Sequence, residues 1–264
     1  MTSAPRSRVF GEVAELYDRA RPGYQPELYA ALFDYAGPQP YPVLEIGAGT
    51  GKATAGLAER GGPVLCLEPD PRMAEVLRRN TGSWPQVEVA VGGFEEWRPQ
   101  GREFGVLLAA TCWHWVDPEQ RWDLVHGALR PGGTIALCWN PQGIVDGGVF
   151  AALQEVNQRY GVLDGLFEAA EDMAGLPEDR EEWPLAECLR DGRFTEPRSL
   201  RFAAPVRYST EEYVGLQASI SAYRILSAAT RELVLDEIAA VLDANGGGVD
   251  VLQVNDLFLA RRAV

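Results

Sequence analysis

An apolar strand that runs into a glycine-rich turn is the feature that most constrains this chain. Residues 43–47, VLEIG, are apolar enough for a buried strand, and Gly47, Gly49 and Gly51 precede a helical segment. Glycine permits a tight turn and lets a ligand approach the backbone closely. Such a turn after the first strand is the usual ligand crevice of an open α/β sheet. The stretch predicts a ligand-binding α/β fold, with a purely structural strand-to-helix turn as the alternative.

Strand-like and helical segments alternate on both sides of this turn, which predicts a doubly wound and mostly parallel sheet. The last segment, 249–263, alternates as an antiparallel strand does, and a turn is expected at 130–133. The predicted strands are 43–47, 64–70, 86–92, 104–113, 134–140, 198–208 and 249–263, and the predicted helices are 9–20, 24–37, 52–60, 71–80, 118–129, 147–161, 184–191, 209–227 and the segment that follows it.

One domain over residues 1–264 is the simplest organisation, because no repeat or low-complexity linker interrupts the chain. Residues 41–140 form its expected core. Parts of 1–40 and 141–230 are expected to cover the ligand face as a lid and substrate region, and 231–264 supply the final helix and strand.

Composition narrows the classes of partner. The chain has 24 Lys and Arg against 38 Asp and Glu, a net charge of −14, which disfavours nucleic acids and anionic membranes. No window approaches the roughly 18 apolar residues of a membrane span, and the first ten residues lack the apolar core of a signal peptide. Four cysteines without CxxC pairing predict reduced thiols and a cytoplasmic protein, and with two histidines we expect no metal site.

The turn fits neither common phosphate-binding motif. A dinucleotide fingerprint requires Gly or Ala where Lys52 stands, and a phosphate-binding loop requires Ser or Thr where Ala53 stands. The pattern from Glu45 to Gly51, E-x-G-x-G-x-G, instead suits an uncharged nucleoside that carries an amino-acid tail. Glu45 could orient the turn or reach the ammonium group of such a tail, directly or through water.

Three further strand ends carry candidate ligand groups. Glu68 ends the second strand, where a carboxylate can accept hydrogen bonds from both ribose hydroxyls. After the third strand, Phe94 could cover an adenine face and Glu95 could accept from its amine; a hydrophobic plug and a surface acid are the alternatives. The segment 111–118, TCWHWVDP, lies at the end of the fourth strand and lines the same crevice.

These motifs, in this order, resemble the class I S-adenosylmethionine-dependent methyltransferases, which have a Rossmann-like fold. The stretches YDRARPGY, GGFEEW, WHWVDP, LCWN and SISAYRIL are similar to the small-molecule branch that includes trans-aconitate methyltransferase-like proteins. The resemblance covers nearly the whole chain, although Gly105 and Gly93 stand where acids are common. It implies S-adenosylmethionine as cofactor, S-adenosylhomocysteine as product, and a small-molecule acceptor. Oligomeric state is not indicated.

The resemblance also implies site residues. Arg21 would pair with the cofactor carboxylate, or would merely fix a turn with Pro22, and Thr111 would approach the ammonium through its carbonyl. The implied cofactor residues are Tyr17, Arg21, Glu45, Gly47, Ala48, Gly49, Gly51, Glu68, Pro69, Phe94, Glu95 and Thr111, and the implied substrate residues are Tyr24, Trp113, His114, Trp139, Ser219, Ser221 and Tyr223.

Methyl transfer requires that an acceptor atom be held in line with the sulfonium methyl group and that water be excluded. Aromatic faces favour a nearby cation, and Tyr17 is one candidate. His114 is the natural candidate for a base, since an unperturbed imidazole titrates near neutrality; a structural role for it is the alternative. The resemblance favours methylation of a small molecule, on oxygen before nitrogen or carbon. A non-methylating enzyme such as a cyclase, or a cofactor-binding regulatory protein, remains the competing function.

Overall fold

The structure is a computed structural model that describes residues 13–38, 41–162, 168–175, 177–179 and 183–264. The described residues divide into two compact units. The sheet unit takes those within 23–140, 176–202 and 255–264, and the helical unit takes those within 1–22, 141–175 and 203–254. The division falls inside two long strands, β8 (Phe194–Ser209) and β9 (Gly248–Arg262).

The sheet unit is built on a mostly parallel sheet with the strand order β3-β2-β1-β4-β5-β9, and β8 also pairs with β9. Strands β1 to β5 are parallel to one another, and β9 is antiparallel to β5. This arrangement confirms the predicted fold class. The first five strands are β1 (Val43–Ile46), β2 (Val64–Glu68), β3 (Val87–Val91), β4 (Phe104–Ala110) and β5 (Leu129–Trp139).

The central strands are apolar along their length because both of their faces are covered. Successive side chains point to opposite faces, so Leu44 of β1 joins one core cluster while Val43 joins the other. Asp70 caps one of the covering helices by accepting a hydrogen bond from the Arg72 N–H. The helices of this unit are α2 (Pro26–Ala36), α3 (Thr54–Ala58), α4 (Pro71–Asn80), α5 (Arg121–Ala128) and α7 (Leu185–Asp191).

The expected turn at 130–133 is wrong, because β5 already begins at Leu129. Leu129 pairs with Phe104, and the register then shifts before Val106 pairs with Thr134. A side chain at Gly133 would lie 2.9 Å from the Arg130 carbonyl oxygen. Gly133 therefore lies at an irregularity in the pairing of β4 with β5. The sequence Pro-Gly-Gly does not distinguish such an irregularity from a turn.

The helical unit holds a separate core formed by its helices and short strands. Ser209 and Glu212 form the predicted capping box at the start of α8. The single helix expected over 209–227 is interrupted, since Ile220 adopts an extended conformation. The elements of this unit are α1 (Ala14–Ala20), β6 (Gln142–Ile144), α6 (Gly147–Arg159), β7 (Glu168–Ala169), α8 (Thr210–Ala218), α9 (Ser221–Arg224) and α10 (Ala228–Ala244), together with parts of β8 and β9.

The described residues contain two strands more than the seven expected. These are β6, which pairs with β9, and β7, which pairs with β6. Strands of three and two residues are too short to show an alternating pattern in sequence. Residues 9–12 of the first predicted helix lie outside the described residues. No helix in the described ranges is long and apolar enough to cross a bilayer. The single-domain organisation stays a prediction.

Candidate functional site

The glycine turn follows β1 in the sheet unit, and its conformation requires glycine. Gly47, Gly49 and Gly51 have φ angles of 59°, 61° and 94°, in the region that side chains disfavour. Two of the three also have no room for a side chain. A Cβ atom on Gly47 would lie 2.7 Å from Cys112 Cβ, and one on Gly51 would lie 2.8 Å from Leu77 Cδ1. The turn is therefore fixed by both backbone angle and packing.

Glu68, at the end of β2, holds this turn in place. Its Oε2 atom accepts a hydrogen bond from the Gly49 N–H at 2.8 Å, and its Oε1 atom accepts one from the Asp70 N–H at 2.9 Å. Burial raises the pKa of Glu68 to about 6, against the lowering effect of these two bonds. A carboxylate has about four lone-pair positions, so both oxygens retain a position for a further donor.

Glu45 lies one strand away, completely enclosed. Its Oε2 atom accepts a hydrogen bond from the Thr54 hydroxyl at 2.7 Å and a longer one from the Cys66 thiol at 3.7 Å. Its Oε1 atom is buried and has no hydrogen-bond partner in the described part of the chain. Burial, and to a smaller extent the nearby Glu68, raises the pKa of Glu45 to about 7, against the lowering effect of the hydrogen bonds from Thr54 and Cys66. A buried oxygen without a donor is destabilising, so a cationic or donor group at this position would relieve it.

The turn residues beside Glu68 are more tightly held than the sequence suggests. Ala48 is buried, and its N–H donates to the Leu67 carbonyl oxygen at 3.1 Å. Pro69 is half-buried. It is followed by Asp70, whose pKa the Arg72 side chain lowers through a hydrogen bond. The ends of β1 and β2 are thus joined by backbone hydrogen bonds around one carboxylate.

A hydrogen bond links the segment after β3 to the segment after β4. Phe94 is buried, and its ring is stacked on Trp97 with centroids 6.5 Å apart. Glu95 accepts a hydrogen bond from the Asp117 N–H at 3.1 Å. The structure therefore gives Phe94 a place in the core and Glu95 a bridging contact. The adenine contacts expected of both residues stay predictions.

Thr111, the first residue after β4, has a φ angle of 53°. Its hydroxyl lies 2.9 Å from the Tyr24 hydroxyl and donates to Asn140 Oδ1 at 3.3 Å. Its N–H donates to the Cys138 carbonyl oxygen at 2.8 Å. The structure thus brings together two predicted site residues, Tyr24 and Thr111, with Asn140 at the end of β5. We call these three residues the Thr111 network.

The WHW stretch forms a short 3₁₀ helix, Trp113–Trp115, whose residues differ in exposure. Trp113 is buried with its ring edge on Trp122, and Arg121 stacks 4.8 Å from its centroid. His114 is exposed, and its ring lies 4.7 Å from that of Trp115. The buried Trp113 supports the core here, whereas His114 is accessible to solvent.

Trp139 ends β5 and packs on Trp183, with ring centroids 5.1 Å apart. It is half-buried. The structure thus places this predicted substrate residue at the carboxyl edge of the sheet, on the strand next to β4.

In the helical unit, three predicted site residues meet. The Arg21 guanidinium carbon lies 5.3 Å from the Tyr17 ring centroid, and Arg21 Nε donates to Ser219 Oγ at 2.9 Å. Ser219 is fully buried, and its own proton goes to the Leu216 carbonyl oxygen at 2.6 Å. We call Tyr17, Arg21 and Ser219 the Arg21 cluster. In the described part of the chain, no carboxylate forms an ion pair with Arg21.

The other two predicted substrate residues of this unit lie on α9. Tyr223 is fully buried, and its hydroxyl donates to Asn157 Oδ1 at 2.7 Å. Burial raises its pKa. Ser221 is half-buried at the start of the same helix. Tyr223 therefore contributes to the core of the helical unit, and its substrate contact stays a prediction.

Several residues at the site were not predicted from the sequence. Thr54 and Cys66 complete the surroundings of Glu45, and Cys112 packs on Gly47 and donates from Sγ to the Ile46 carbonyl oxygen at 3.0 Å. Cys66 pairs with Glu45 in the β1–β2 register. Parallel pairing of the two strands could have found Cys66, whereas no signal in the sequence gives the Cys112 contact. Within the described residues, no group of three or more His, Cys, Asp or Glu could hold a metal ion.

The assembled residues suit a ligand that brings donors to one edge of the sheet. Glu68 and Glu45 are both acceptors, and the glycine turn permits close approach of a ligand to the backbone. Residues 43–133 match the family described as a methyltransferase domain. The matched segment runs from β1 into β5 and includes the glycine turn, Glu45, Glu68 and Thr111.

Relatives bear the same description. An uncharacterized methyltransferase of Mycobacterium tuberculosis is 40% identical over 134 residues, which is 51% of this chain and 53% of the relative. The chain thus spans about half the length of that relative. An uncharacterized methyltransferase of Schizosaccharomyces pombe is 26% identical over 227 residues, 84% of this chain and 83% of the relative.

Solved structures share the fold. A protein from Anaeromyxobacter dehalogenans, described as a type II methyltransferase, has a TM-score of 0.61 at 22% identity, covering 91% of this chain and 97% of that chain. A phosphoethanolamine N-methyltransferase from Haemonchus contortus, in complex with S-adenosyl-L-methionine, has a TM-score of 0.51 at 15% identity, covering 100% of this chain and 58% of that chain. At these identities the likeness extends to the fold alone.

Proposed function

We propose that the protein is a class I S-adenosylmethionine-dependent methyltransferase, with S-adenosylhomocysteine as the product of its cofactor. The observation that carries this proposal is the contact of Glu68 with the Gly49 N–H at 2.8 Å. It fixes an acidic acceptor beside a glycine turn that departs from both phosphate-binding motifs. The domain match over residues 43–133 supports the assignment.

The ligand's nucleoside would bind at Glu68, Pro69, Phe94 and Glu95. Each Glu68 oxygen already accepts one backbone hydrogen bond and has capacity for a ribose hydroxyl. The backbone of the turn formed by Gly47, Ala48, Gly49 and Gly51 would bind the methionine part. Glu45 Oε1, which has no hydrogen-bond partner in the described residues, is the atom that best fits the ammonium group of the tail. Because the Glu45 side chain is enclosed, a water molecule would connect the two.

The carboxylate of the tail would pair with Arg21. Two facts support this role: Arg21 has no carboxylate partner in the described residues, and Ser219 already fixes one edge of its guanidinium group. A planar guanidinium group with a fixed edge binds carboxylates well. Tyr17, which stacks on Arg21, presents an aromatic face of the kind that stabilises a sulfonium cation.

The cofactor, when bound, supplies an activated methyl group. The protein must then hold the acceptor atom in line and keep water out. His114 is exposed on the segment after β4 and is the proposed base for a hydroxyl or amine acceptor. A carboxylate acceptor would need no base. Trp113, Trp139, Ser219, Ser221 and Tyr223 remain proposed substrate residues, of which Trp139 and Ser221 are partly accessible.

The proposed acceptor is a small polar molecule, methylated on oxygen, as in the trans-aconitate methyltransferase-like branch. The net charge of −14 disfavours a nucleic acid as the acceptor. We also propose a cytoplasmic location, supported by four cysteines that are all free thiols, the form that a reducing compartment maintains.

Calorimetric titration of the full chain with S-adenosylmethionine, S-adenosylhomocysteine and NAD tests the cofactor. Glu68→Gln retains the shape of the side chain and removes its charge, while Glu75→Gln makes the same change at an exposed position of α4. We expect wild type and Glu75→Gln to bind both sulfur ligands and not NAD. Glu68→Gln should bind them with a loss of about 1.5–3 kcal/mol, the range for a hydrogen bond to a charged group.

Binding of NAD in preference to the sulfur ligands, or equal affinities in Glu68→Gln and Glu75→Gln, would contradict the proposal. With the cofactor established, a screen of small carboxylic acids and alcohols for S-adenosylhomocysteine release would identify the acceptor. Retained release in His114→Gln would remove the proposed base.

A further inference from the structure

Thr111 holds a backbone conformation that its side chain disfavours. Its φ angle is 53°, and such a value is a genuine outlier for a β-branched residue. The other two non-glycine residues with positive φ in the described chain, Gln100 and Glu196, are exposed, whereas Thr111 is half-buried. A disfavoured conformation persists only where the surroundings determine it, and it is concentrated at functional sites.

Three hydrogen bonds determine the conformation of Thr111. Its N–H donates to the Cys138 carbonyl oxygen, and its hydroxyl contacts both Tyr24 and Asn140. Asn140 Oδ1 can only accept, and it therefore takes its hydrogen bond from the Thr111 hydroxyl. In the contact between Tyr24 and Thr111 either oxygen can be the donor, and Tyr24 also forms a side-chain hydrogen bond with Cys138. Tyr24 and Asn140 thus both contact the Thr111 hydroxyl.

Thr111 also lies close to the glycine turn. It is the first residue beyond β4, and the next residue, Cys112, packs on Gly47 and donates to the Ile46 carbonyl oxygen. The backbone of Thr111 is thus set beside the turn that follows β1. A rotation at Thr111 would turn its carbonyl group relative to that turn.

We infer that Tyr24 and Asn140 are positioning residues, which hold Thr111 in its left-handed conformation and thereby aim the Thr111 carbonyl at the ammonium group of the cofactor tail. The inference rests on the proposed function. It assigns Tyr24 to the cofactor's tail and not to the acceptor, because the Tyr24 hydroxyl lies 2.9 Å from that of Thr111. It also adds Asn140 to the site.

Two ligands separate this role from a general structural one. S-adenosylhomocysteine carries the amino-acid tail, and 5′-methylthioadenosine has the same nucleoside without it. Affinities for both ligands are measured by calorimetry on the wild type, Tyr24→Phe, Thr111→Val and Asn140→Ala. Thr111→Ser retains the hydroxyl, and Tyr41→Phe removes a hydroxyl elsewhere in the sheet unit, from a side chain that is 39% exposed.

We expect Tyr24→Phe and Thr111→Val to lose about three- to tenfold in affinity for S-adenosylhomocysteine, as loss of a hydrogen bond predicts. Their affinity for 5′-methylthioadenosine should stay within about twofold. Thr111→Ser and Tyr41→Phe should match the wild type. The double variant Tyr24→Phe/Thr111→Val should lose less than the sum of the two single losses, because both changes remove the bond between Tyr24 and Thr111.

Equal losses for both ligands would show a merely structural role and overturn the inference, as would unchanged affinity for S-adenosylhomocysteine. Equal binding of the two ligands by the wild type would also overturn it, since the tail would then contribute nothing. Failure of the wild type to bind either ligand would instead contradict the proposed function. If Thr111→Val does not fold, Tyr24→Phe, which leaves the backbone residue unchanged, decides the matter.

Discussion

The glycine turn of the sheet unit and the Arg21 cluster of the helical unit are built in opposite ways. In the turn, the backbone is the part that is held, and a side chain, Glu68, holds it by accepting a hydrogen bond from the Gly49 N–H. In the cluster, a side chain, Arg21, is the part that is held, and the residue that holds it, Ser219, is completely buried.

Because of this difference, the two regions are sensitive to different substitutions. The glycine turn is disrupted by any substituted residue that cannot adopt the required φ angle or fit the space, even when its side chain is chemically inert. A side-chain site fails when the functional group is removed, while the helix that carries it survives. Four predictions test this contrast, from the largest effect to the smallest.

Gly47→Ala should have the largest effect. The new Cβ would lie 2.7 Å from Cys112 Cβ, at a φ angle of 59°. Overpacking and a left-handed conformation together cost about 2–5 kcal/mol. We expect a lower free energy of unfolding in urea and no detectable binding of S-adenosylhomocysteine. Gly62→Ala is the matched control, because nothing lies within 4 Å of that position. A stable, binding-competent Gly47→Ala would contradict the account of the turn.

Arg21→Ala should weaken binding and leave the fold intact. Loss of a charged hydrogen bond predicts a decrease of about 1.5–3 kcal/mol, or about 10- to 150-fold in affinity for S-adenosylhomocysteine. Affinity for 5′-methylthioadenosine, which lacks the carboxylate, should not change. Arg19→Ala removes an exposed cation from the same helix and serves as the control. Unchanged affinity for S-adenosylhomocysteine in Arg21→Ala would remove the proposed role.

Affinity for 5′-methylthioadenosine should depend on pH through Glu68. Ribose hydroxyls donate to the ionised carboxylate, and the pKa of Glu68 in the ligand-free protein is about 6. Affinity should therefore be full above about pH 6 and fall as the pH drops through that value, by about tenfold per unit when the two are fully coupled. This ligand has no ammonium tail, so Glu45 should not contribute. The same profile in Glu68→Gln would show that another group titrates.

Tyr223→Phe should have the smallest effect on binding. The change leaves Asn157 Oδ1 without its buried donor, which should lower the free energy of unfolding by about 1–3 kcal/mol. Affinity for S-adenosylhomocysteine should equal that of the wild type. A loss of acceptor turnover without a loss of stability would instead support the substrate role proposed for Tyr223.

Sequence alone predicted the glycine turn better than the side-chain contacts around it. The first strand and the three glycines are visible because an apolar run followed by Gly-x-Gly-x-Gly is typical of the first turn of an open α/β sheet. The partners of Glu45 were not visible, since Thr54 and Cys66 meet it only through the helix and the strand register. Likewise, the sequence of residues 209–227 shows one amphipathic helix and does not show that Ile220 breaks it, which leaves Ser219 and Tyr223 buried.

A crystal structure of the full chain with S-adenosylhomocysteine would show whether Glu68 and the glycine turn form the cofactor site. The account predicts ribose hydroxyl oxygens within about 3 Å of the Glu68 carboxylate, with the glycine turn unchanged in conformation. A ligand bound elsewhere, with the Glu68 oxygens contacting only the Gly49 and Asp70 N–H groups, would contradict it.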